Sequence, residues 1–556
     1  MDHVTLGLDF GTESARIIAV HVSTGREIGK VVRPYADGVI SETLPRSSRT
    51  LDAGWALQNP EDYRDIIFHG IPELLTQIAV DSRQIIGIGV AFTSCTVLPV
   101  NAQGTPLCLL DSFRDQPHSW PKLWKHHAAI EEATILENAL KREDPQWLAR
   151  YGGHVSVEWL WPKLFEILRE APEVFDAMDQ MVEGADWVVH QLTGIWSRNI
   201  GGAGFKAFYQ PDLGTFGAAW EKSFPQLAQA SRTKLRAPIV PIGAGVGALS
   251  ADVAERLGLE PTTMVAAGMI DAHAAVIGTG AIEPGAVTMV MGTSTCHIVM
   301  DTELSTPEGI FGIVKDGLVP GRYACEAGQA AVGDIFGWVS GLVAAGASVP
   351  GASYDSLERE AAKIPAGGTG LLALDWWNGN RSVLGDPQLS GVLVGLRLDT
   401  TGADIYRAVM EATGFGTRRI LDAFNTAGIA CERLVACGGL PFKSTLLMQI
   451  YADILSRPIE VASSPEATAL GAAIAAAVAA GSLRGGYATF SEAVKNMVAP
   501  IQRVVEPQAS THDLYESRYA HYLMLHDWFG RTQPSVLHTL QSTRMTQNGV
   551  GSGQLG

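Results

Sequence analysis

The chain has 556 residues, of which 46% are hydrophobic and 18% charged, a composition typical of a soluble globular protein with room for at least two domains. Its formal net charge of −17 argues against nucleic acid and anionic membranes as partners, because an acidic surface repels both. The six cysteines form no CxxC pair and no zinc-ligand spacing, so we expect reduced, mostly buried thiols in a cytoplasmic protein.

The first predicted element is a β-hairpin with a polar tip, VTLGLDFGTESARIIAV at residues 4–20. The chain enters this strand at once, without the basic and apolar segments of a secretory signal. Amides and hydroxyls at Gly11 and Thr12 suit phosphate oxygens. The carboxylate of Asp9 suits a magnesium ion, and Arg16 would add a positive charge. An ordinary glycine hairpin with a solvated aspartate fits the same residues, and no Walker-type GxxxxGK[ST] loop occurs in the chain.

Strands and helices alternate after this hairpin. Residues 85–100 predict a buried strand, a polar turn and another strand, and helices are predicted near 144–153 and 157–172. The run MVAAGMIDAHAAVIGTGAI at 264–282 predicts a strand, a polar tip and a helix of small residues, and we expect it to begin the second half. Asp271 ends that strand, where it either lines a crevice between domains or caps the helix.

A second hairpin, VTMVMGTSTCHIVM at 287–300, repeats the pattern of the first one half a chain later. Gly292 and Thr293 stand at its tip, but no acid occupies the place of Asp9. Two such hairpins predict two domains of similar plan that grip one triphosphate from both sides, only one of them supplying the acid for a metal. A hydroxyl-rich turn with a purely structural role fits the second segment as well.

Two amphipathic helices are predicted further along, each after an N-cap residue of the usual type: 400–424 after Thr400 or Thr401, and 463–481 after Ser463 or Ser464. The Ala-rich run within the second helix is too short to span a bilayer, which predicts a buried helix and no membrane partner.

The segment CGGLPFKS at 437–444 predicts a strand-to-helix turn. Gly438 and Gly439 would let the backbone approach a flat base or ribose, with Lys443 and Ser444 in the first helical turn. A plain connection between strand and helix fits these residues equally. From residue 535 the sequence loses its periodicity and turns rich in Gly, Ser and Gln, which predicts a disordered tail over 535–556.

Four of these motifs, DFGTESAR, GMIDAHAAVIGTG, MGTSTCH and CGGLPFKS, occur in an order that resembles the FGGY carbohydrate kinases of the actin–hexokinase–Hsp70 superfamily. Residues 391–411 fit the C-terminal signature of that family throughout. The N-terminal signature normally carries a lysine before its tryptophan, whereas here Glu158 precedes Trp159. That departure, together with segments such as GGAGFKAFY, CEAGQAAVGD and DWWNGNRSVLGDP, resembles a branch that phosphorylates 2-ketopentoses. The resemblance covers about residues 4–525.

This resemblance implies an α/β fold of two actin-like (ribonuclease H-like) domains with a catalytic cleft between them. The sugar-binding domain would span residues 1–262, and the nucleotide-binding domain would span 263–525. The implied reaction moves a phosphoryl group from ATP, with Mg²⁺, to the terminal hydroxyl of L-ribulose or a related ketopentose. The resemblance also leaves room for a homodimer.

The resemblance further assigns roles to individual residues. Asp271 would be the general base, and Mg²⁺ would lie near Asp9 and Asp271. The sugar would contact five residues: Ser94, Cys95, Lys206, Asp271 and Glu326. ATP would contact nine residues, with its phosphates between the hairpins and its adenosine at the last three: Gly11, Thr12, Glu13, Arg16, Gly292, Thr293, Gly438, Gly439 and Ser444.

Three other functions fit parts of the sequence. A related family member would act on xylulose, glycerol or another polyol. An actin-like or Hsp70-like ATPase would have no use for the sugar-side motifs, and no peptide-binding domain follows the second half. A sugar-binding sensor would not need Asp9 and Asp271 together. Lys206 and Glu326 also fit a solvated lysine and a surface or salt-bridged glutamate.

Overall fold

A computed structural model describes residues 2–215, 218–346 and 354–550. Its strands, numbered in chain order, are β1 Val4–Phe10, β2 Ser14–His21, β3 Glu27–Pro34, β4 Ile85–Phe92, β5 Val97–Val100, β6 Gln180–Glu183, β7 Arg198–Asn199, β8 Tyr209–Gln210, β9 Gly214–Thr215, β10 Ile239–Val240, β11 Gly245–Ala248, β12 Met264–Ala266, β13 Met269–Ile270, β14 Ala286–Met291, β15 Thr295–Asp301, β16 Ile313–Lys315, β17 Tyr323–Gln329, β18 Leu372–Leu374, β19 Val392–Val394, β20 Arg433–Cys437, β21 Ile459–Val461 and β22 Arg503–Val505.

The α-helices are α1 Pro60–Asp65, α2 Ile71–Gln77, α3 Ile130–Glu143, α4 Pro145–Ala149, α5 Leu160–Glu170, α6 Pro172–Ala177, α7 Gly184–Thr193, α8 Ile200–Lys206, α9 Ala218–Ser223, α10 Pro225–Thr233, α11 Ala251–Leu257, α12 Asp271–Thr279, α13 Gly333–Gly346, α14 Tyr354–Ala361, α15 Gly402–Thr426, α16 Gly439–Lys443, α17 Thr445–Leu455, α18 Ala467–Ala480, α19 Phe490–Met497, α20 His512–Asp527 and α21 Ser535–Val550. Among the described residues, none of these helices has the length and apolar character needed to cross a membrane.

The first half of the chain builds a mixed sheet in the order β3, β2, β1, β4, β12 and β11, with β13 also paired to β4. β1 and β2 form the first predicted hairpin, and β4, β12 and β13 run parallel to β1. Phe10 and Ile270 both pair with Phe92, so the carboxyl ends of β1, β4 and β13 lie level at one edge. That edge is where ligands bind in open α/β sheets.

The second half builds a sheet of the same plan in the order β16, β17, β15, β14, β20, β21 and β22. β14 and β15 form the second predicted hairpin, and β20 lies parallel to β14. Val290 pairs with Cys437, which places the ends of β14 and β20 side by side. The prediction of two α/β units of similar plan, each with a polar-tipped hairpin, is confirmed.

Two helices cross between the sheets, and both are made of small residues. α12 follows the first sheet, and α18, from the second half, packs over β1 and β4 of the first sheet. A side chain on Gly278 or Gly471 would collide with the backbone carbonyl of Ala467 or Ala274, so this close crossing requires glycine at both sites. The predicted burial of the Ala-rich run is confirmed, because Ala472 to Ala477 are fully buried in α18.

Two predicted boundaries differ from the structure. β12 and β13 pair with β4, so residues 264–270 complete the first sheet and do not begin the second half, and a division at 262/263 would cut that sheet. α18 begins after Glu466 and not after a serine, because the Ser464 hydroxyl accepts its hydrogen bond from the Glu466 amide before the helix starts. The other cap is confirmed at Thr401, which forms a capping box with Asp404.

The predicted tail also differs over part of its length, because residues 535–550 form α21. Leu537 is buried against the core of the second half, and His538 Nε2 lies 2.7 Å from Asp386 Oδ2. Composition alone does not reveal these two anchors. The rest of the tail, 551–556, lies outside the described residues.

Candidate active site

The predicted site residues of the first half meet at the level edge of the first sheet. The Gly11 amide donates to the Ser14 carbonyl at 3.0 Å and closes the first hairpin, and the Thr93 amide donates to the Phe10 carbonyl at 3.0 Å. Ser94 therefore follows β4 beside the hairpin tip, and Asp271 follows β13 on the other side of β4. The strand register thus brings three separate motifs to one cleft.

Asp9 is a buried carboxylate, 8% exposed, at the end of β1. Burial raises its pKa to about 6, although the Arg16 guanidinium, 3.5 Å away, acts in the opposite direction. Arg16 also lies 3.3 Å from Glu466, which precedes α18. Arg16 is therefore held by two carboxylates and ties the first hairpin to the second half, in addition to any role toward a phosphate.

Asp271 is the first residue of α12 and is partly buried. Burial raises its pKa to about 7, and the carboxylate of Asp9 adds to this rise. The Ala272 amide donates to Asp271 Oδ1 at 2.7 Å and favours the charged form. A carboxyl group with a pKa near neutrality, at the end of a strand in a cleft, is suited to accept a proton from a substrate.

Lys206 and Glu326 form an ion pair that joins the two halves of the chain. Lys206 ends α8 and lies 2.7 Å from Glu326, which stands on β17 of the second sheet. His273 of α12 lies 3.2 Å from the other Glu326 oxygen. Burial would raise the pKa of Glu326, but Lys206 and His273 together lower it to about 2. The alternatives of a solvated lysine and a surface glutamate are wrong, since both side chains are largely buried, whereas the alternative of a salt-bridged glutamate is confirmed.

Ser94 and Cys95 form the tight turn after β4. Cys95 is buried and adopts a left-handed conformation, with φ of 58°. Its carbonyl accepts a hydrogen bond from Lys163 Nζ at 2.7 Å, and the same ammonium donates to the Leu123 carbonyl at 2.8 Å. Burial raises the pKa of the Cys95 thiol to about 12, so this thiol is neutral and fills space.

All six cysteines are free thiols, and five of them are buried. The expectation of reduced, mostly buried thiols is therefore confirmed.

The second hairpin is also closed by the amide of its tip glycine, but its turn is one residue shorter than that of the first hairpin. The Gly292 amide donates to the Ser294 carbonyl at 2.9 Å, and the Thr293 carbonyl accepts from the Val332 amide at 2.7 Å, just before α13. Val290 occupies the place that Asp9 holds in the first hairpin, as the sequence indicates. The two tips thus differ in charge and in turn length, although a glycine amide closes each of them.

Gly438 and Gly439 begin α16 beside the second hairpin. Gly438 has φ of 87°, and a side chain there would collide with the Met291 carbonyl, so glycine is required. Ser444 differs from the prediction: it is the N-cap of α17, accepting from the Leu447 amide at 3.0 Å, while Lys443 closes α16. Its hydroxyl also donates to Glu358 at 2.6 Å.

At the first hairpin tip, Thr12 has partners that the sequence did not reveal. Trp124 Nε1 donates to the Thr12 hydroxyl at 3.0 Å, and Gln58 Nε2 donates to the Thr12 carbonyl at 2.7 Å. Glu13, predicted at the nucleotide site, is exposed on the same turn. Because Trp124 lies more than a hundred residues away, only the tertiary fold brings it to this turn.

Sequence reasoning assigned no site role to Arg381, Glu158 or His273, although all three lie beside predicted site residues. Arg381 Nη2 lies 2.8 Å from Glu158 Oε1, again joining the two halves. The signals were present: Glu158 is the departure from the family signature, Arg381 ends DWWNGNR, and His273 lies in MIDAHAA.

Both halves of the chain match family models. Residues 4–278 match the N-terminal domain of the FGGY family of carbohydrate kinases, and residues 287–480 match the C-terminal domain of the same family. The N-terminal match includes α12 up to residue 278, in agreement with the sheet pairing of β12 and β13.

Relatives match over nearly the whole chain. The chain is 46% identical to the ribulokinase of Geobacillus thermodenitrificans over 548 residues, which cover 97% of each protein. It is 42% identical to the ribulokinase of Mycolicibacterium smegmatis, covering 99% of this chain and 98% of the relative.

Among solved structures, a xylulose kinase from Rhodospirillum rubrum is 26% identical, with a TM-score of 0.78 over 96% of this chain and 100% of that one. A glycerol kinase from Plasmodium falciparum, solved with ADP, shares the fold at 16% identity, with a TM-score of 0.74 over 94% of this chain and 98% of that one.

Proposed function

Because the chain belongs to the FGGY family of carbohydrate kinases, we propose that it transfers the γ-phosphoryl group of ATP to the terminal hydroxyl of L-ribulose, giving L-ribulose 5-phosphate and ADP. The observation that carries this proposal is the group of charged residues where the two halves meet: Asp271 lies near Asp9, and Lys206 of the first half pairs with Glu326 of the second. The relatives named ribulokinase, which match nearly the whole chain, support the choice of sugar. The reaction would serve L-arabinose breakdown in the cytoplasm.

The sugar would bind on the side of the cleft formed by Lys206, Glu326, Ser94 and Cys95. A ketopentose offers hydroxyls and one carbonyl, so its recognition needs directional donors and acceptors. Lys206 has one proton engaged by Glu326 and two left for sugar oxygens. The Glu326 carboxylate is ionised at neutral pH, because Lys206 and His273 lower its pKa to about 2, and it can accept from a sugar hydroxyl.

Asp271 would act as the general base. Its carboxylate would take the proton of the terminal hydroxyl while that oxygen forms a bond to the γ-phosphorus and the bond from the γ-phosphorus to the bridging oxygen of ADP breaks. Burial favours a proton on this carboxyl, which raises its pKa to about 7 and makes it a stronger base than a solvated aspartate.

The phosphates of ATP would lie between the hairpin tips. Backbone amides of Thr12 and Thr293, with Arg16 nearby, would donate to phosphate oxygens as their charge redistributes. The amides of Gly11 and Gly292 close the hairpins, and the lack of a side chain at these two residues would let the phosphates approach the tips. The adenosine would lie against Gly438 and Gly439, with Ser444 beside it. A Cβ at Gly439 would have no neighbour within 4 Å, so the turn is open on that side. Glu13, on the first hairpin, would stand at the edge of the phosphate site.

A magnesium ion fits the acids of this cleft. Asp9 and Asp271 are hard oxygen donors that mutually disfavour ionisation, so a divalent cation beside them would relieve their repulsion. When bound, Mg²⁺ would neutralise part of the phosphate charge. We assign Asp9 as its principal protein partner, with Asp271 beside it.

The test is a coupled assay of ADP release with L-ribulose, D-xylulose, glycerol and no sugar. We expect the highest kcat/KM with L-ribulose and little turnover without sugar. A preference for D-xylulose or glycerol would assign the chain the substrate of another family member. Equal ADP release without any sugar would contradict sugar kinase activity altogether. The oligomeric state, for which we expect a homodimer, stays a prediction.

A further inference from the structure

A second ion pair joins the two halves beside the Lys206–Glu326 pair. Arg381, in the loop between β18 and β19, lies 2.8 Å from Glu158, which stands just before α5 in the first half. The two side chains are only 21% and 17% exposed. His127 lies 3.3 Å from the same Glu158 oxygen. Neither Glu158 nor Arg381 has a role in the proposed phosphoryl transfer.

Arg381 lies against the strand that carries Glu326. A Cβ atom on Gly328 of β17 would stand 3.3 Å from Arg381 Cδ. The aliphatic part of the Arg381 side chain therefore crosses β17 two residues from Glu326. The Gly328 amide donates to the Ser382 hydroxyl at 3.2 Å, which fixes the next residue of the loop to the same strand. The position of Arg381 relative to Glu326 is thus set by backbone contacts.

Cys296 lies beside the part of β17 that Arg381 crosses. Cys296 pairs with Gly328 across β15 and β17 and is partly exposed. Burial raises the pKa of this thiol to about 12, and the charges of Glu326, Arg381, Asp271 and Lys206 all act on it. These four charged side chains therefore all lie near Cys296.

Glu158 lies within the same group of charges. Burial would raise its pKa, but Arg381 and His127 hold it below its usual range, and Lys206 contributes to this lowering. An ion pair of this kind, once formed, is costly to break on one side only, because the remaining charge is left half-buried without a partner.

We propose that Glu158 and Arg381 are positioning residues of the sugar site: their ion pair joins the two halves and holds β17, with Glu326, in register with Lys206. This inference rests on the proposed role of Lys206 and Glu326 in sugar binding. It predicts that the pair acts on the sugar and not on ATP, whose binding residues lie at the hairpin tips.

The test is a double-mutant cycle of Glu158→Gln, Arg381→Met and both changes together, with kcat and the KM for sugar and for ATP measured on the full chain. We expect each single change to raise the KM for L-ribulose on the order of 10–100-fold, with the KM for ATP within about twofold. The KM of the double variant for L-ribulose should rise no further than that of the more strongly affected single variant, because the second change removes the unpaired charge left by the first.

A matched control is Arg418→Met, which breaks an ion pair to Glu516 at 2.8 Å. The Arg418 side chain is 18% exposed, close to that of Arg381, but both partners lie in the second half. It should lower the thermal midpoint without changing the KM for sugar. Arg381→Lys, which keeps the charge and loses the planar fork, should recover part of the sugar affinity.

Three results would overturn the inference. The effects of the two changes on the KM for L-ribulose could be additive, the KM for ATP could rise in parallel, or Arg381→Met could behave like Arg418→Met and leave the KM for sugar unchanged. If Arg381→Met does not fold, Glu158→Gln, which has nearly the same shape, decides the question by itself. The wild-type chain in the same assay reports on the proposed substrate separately. If it phosphorylates another sugar, the cycle is measured with that sugar, and the positioning role stands or falls on that result.

Discussion

At the residue scale, Asp271 is the side chain on which the proposed chemistry depends. Asp271→Asn keeps the shape of the side chain and removes its basicity, so kcat should fall on the order of 10²–10⁴-fold. Sugar binding should change much less, because Lys206 and Glu326 stay in place. Steady-state kinetics and titration with L-ribulose check both parts, and a variant with near-normal kcat would remove Asp271 from the role of base.

The raised pKa of Asp271 also predicts a pH dependence of stability. Above pH 7 the folded chain holds an ionised Asp271 that its buried surroundings disfavour, so Asp271→Asn should be more stable than the wild type there, by roughly 1–4 kcal/mol. As pH falls from 7 toward 4, the folded wild type takes up a proton while the unfolded chain does not, so the difference should shrink.

Chemical unfolding of both proteins at pH 8 and pH 5, with chelator and without ligands, measures this difference. A gap that is equal at both values would show that burial does not raise the pKa of Asp271.

Asp9 belongs to the same pair of acids but has a different expected role. Asp9→Asn removes one oxygen charge at the proposed magnesium site, so half-maximal activity should need a higher Mg²⁺ concentration, on the order of tenfold. The control is the KM for L-ribulose at saturating Mg²⁺, which should stay near the wild-type value. Unchanged metal dependence would assign the ion to other residues.

Residue types at the strand ends were predictable, whereas their partners were not. Asp9, Gly11 and Asp271 each follow an apolar run, and this local pattern predicts a polar group at the carboxyl end of a strand. Lys206 and Glu326 lie 120 residues apart, and Glu158 and Arg381 lie 223 apart. No periodicity or spacing encodes such pairs. The resemblance supplied Lys206 and Glu326 as separate sugar-binding residues, and the structure was needed to reveal both ion pairs.

At the element scale, the two hairpins and the small-residue helices were predictable because each has a local signature. The boundary between the halves was not, since β12 and β13 are short and their partner β4 lies more than 170 residues earlier. The tail was misjudged for a similar reason. Over the part of α21 whose side chains the structure describes, Leu537 is buried and His538 is hydrogen-bonded to Asp386, and neither contact alters the composition of the segment.

The crossing of α12 and α18 makes a prediction at this scale. Gly471→Ala would push a methyl group into the Ala274 carbonyl where the two helices touch, so the free energy of unfolding should fall by about 1–3 kcal/mol or more. Gly341→Ala is the matched control, because that helical glycine is exposed and has no neighbour within 4 Å. The control should be neutral or slightly stabilising, by up to about 1 kcal/mol. Thermal and chemical unfolding compare the two, and equal effects would show that the crossing tolerates a side chain.

At the scale of the whole molecule, the halves are tied in two different ways. The helix crossing is apolar and tightly packed, whereas the bridges at the cleft, Lys206–Glu326 and Glu158–Arg381, are ionic and partly exposed. Apolar packing of this kind can act as a fixed pivot, while ionic contacts at a cleft can rearrange when a sugar replaces their water. The sugar would then be the group that completes the contact between the halves.

This arrangement predicts closure on the sugar, which small-angle scattering can measure. A chain of this length has a radius of gyration of roughly 24 Å, and L-ribulose with a non-hydrolysable ATP analogue should reduce it by on the order of 1 Å. Lys206→Met should abolish the change at sugar concentrations that saturate the wild type, because the sugar then lacks its cationic partner at the first half. The two halves of the Asp271→Asn variant should still close on the sugar, because the wild-type Asp271 carboxyl accepts a proton and does not join the halves. If the radius stays the same with and without ligands in every variant, the cleft is already closed, and the ion pairs order the sugar site without any movement of the two halves.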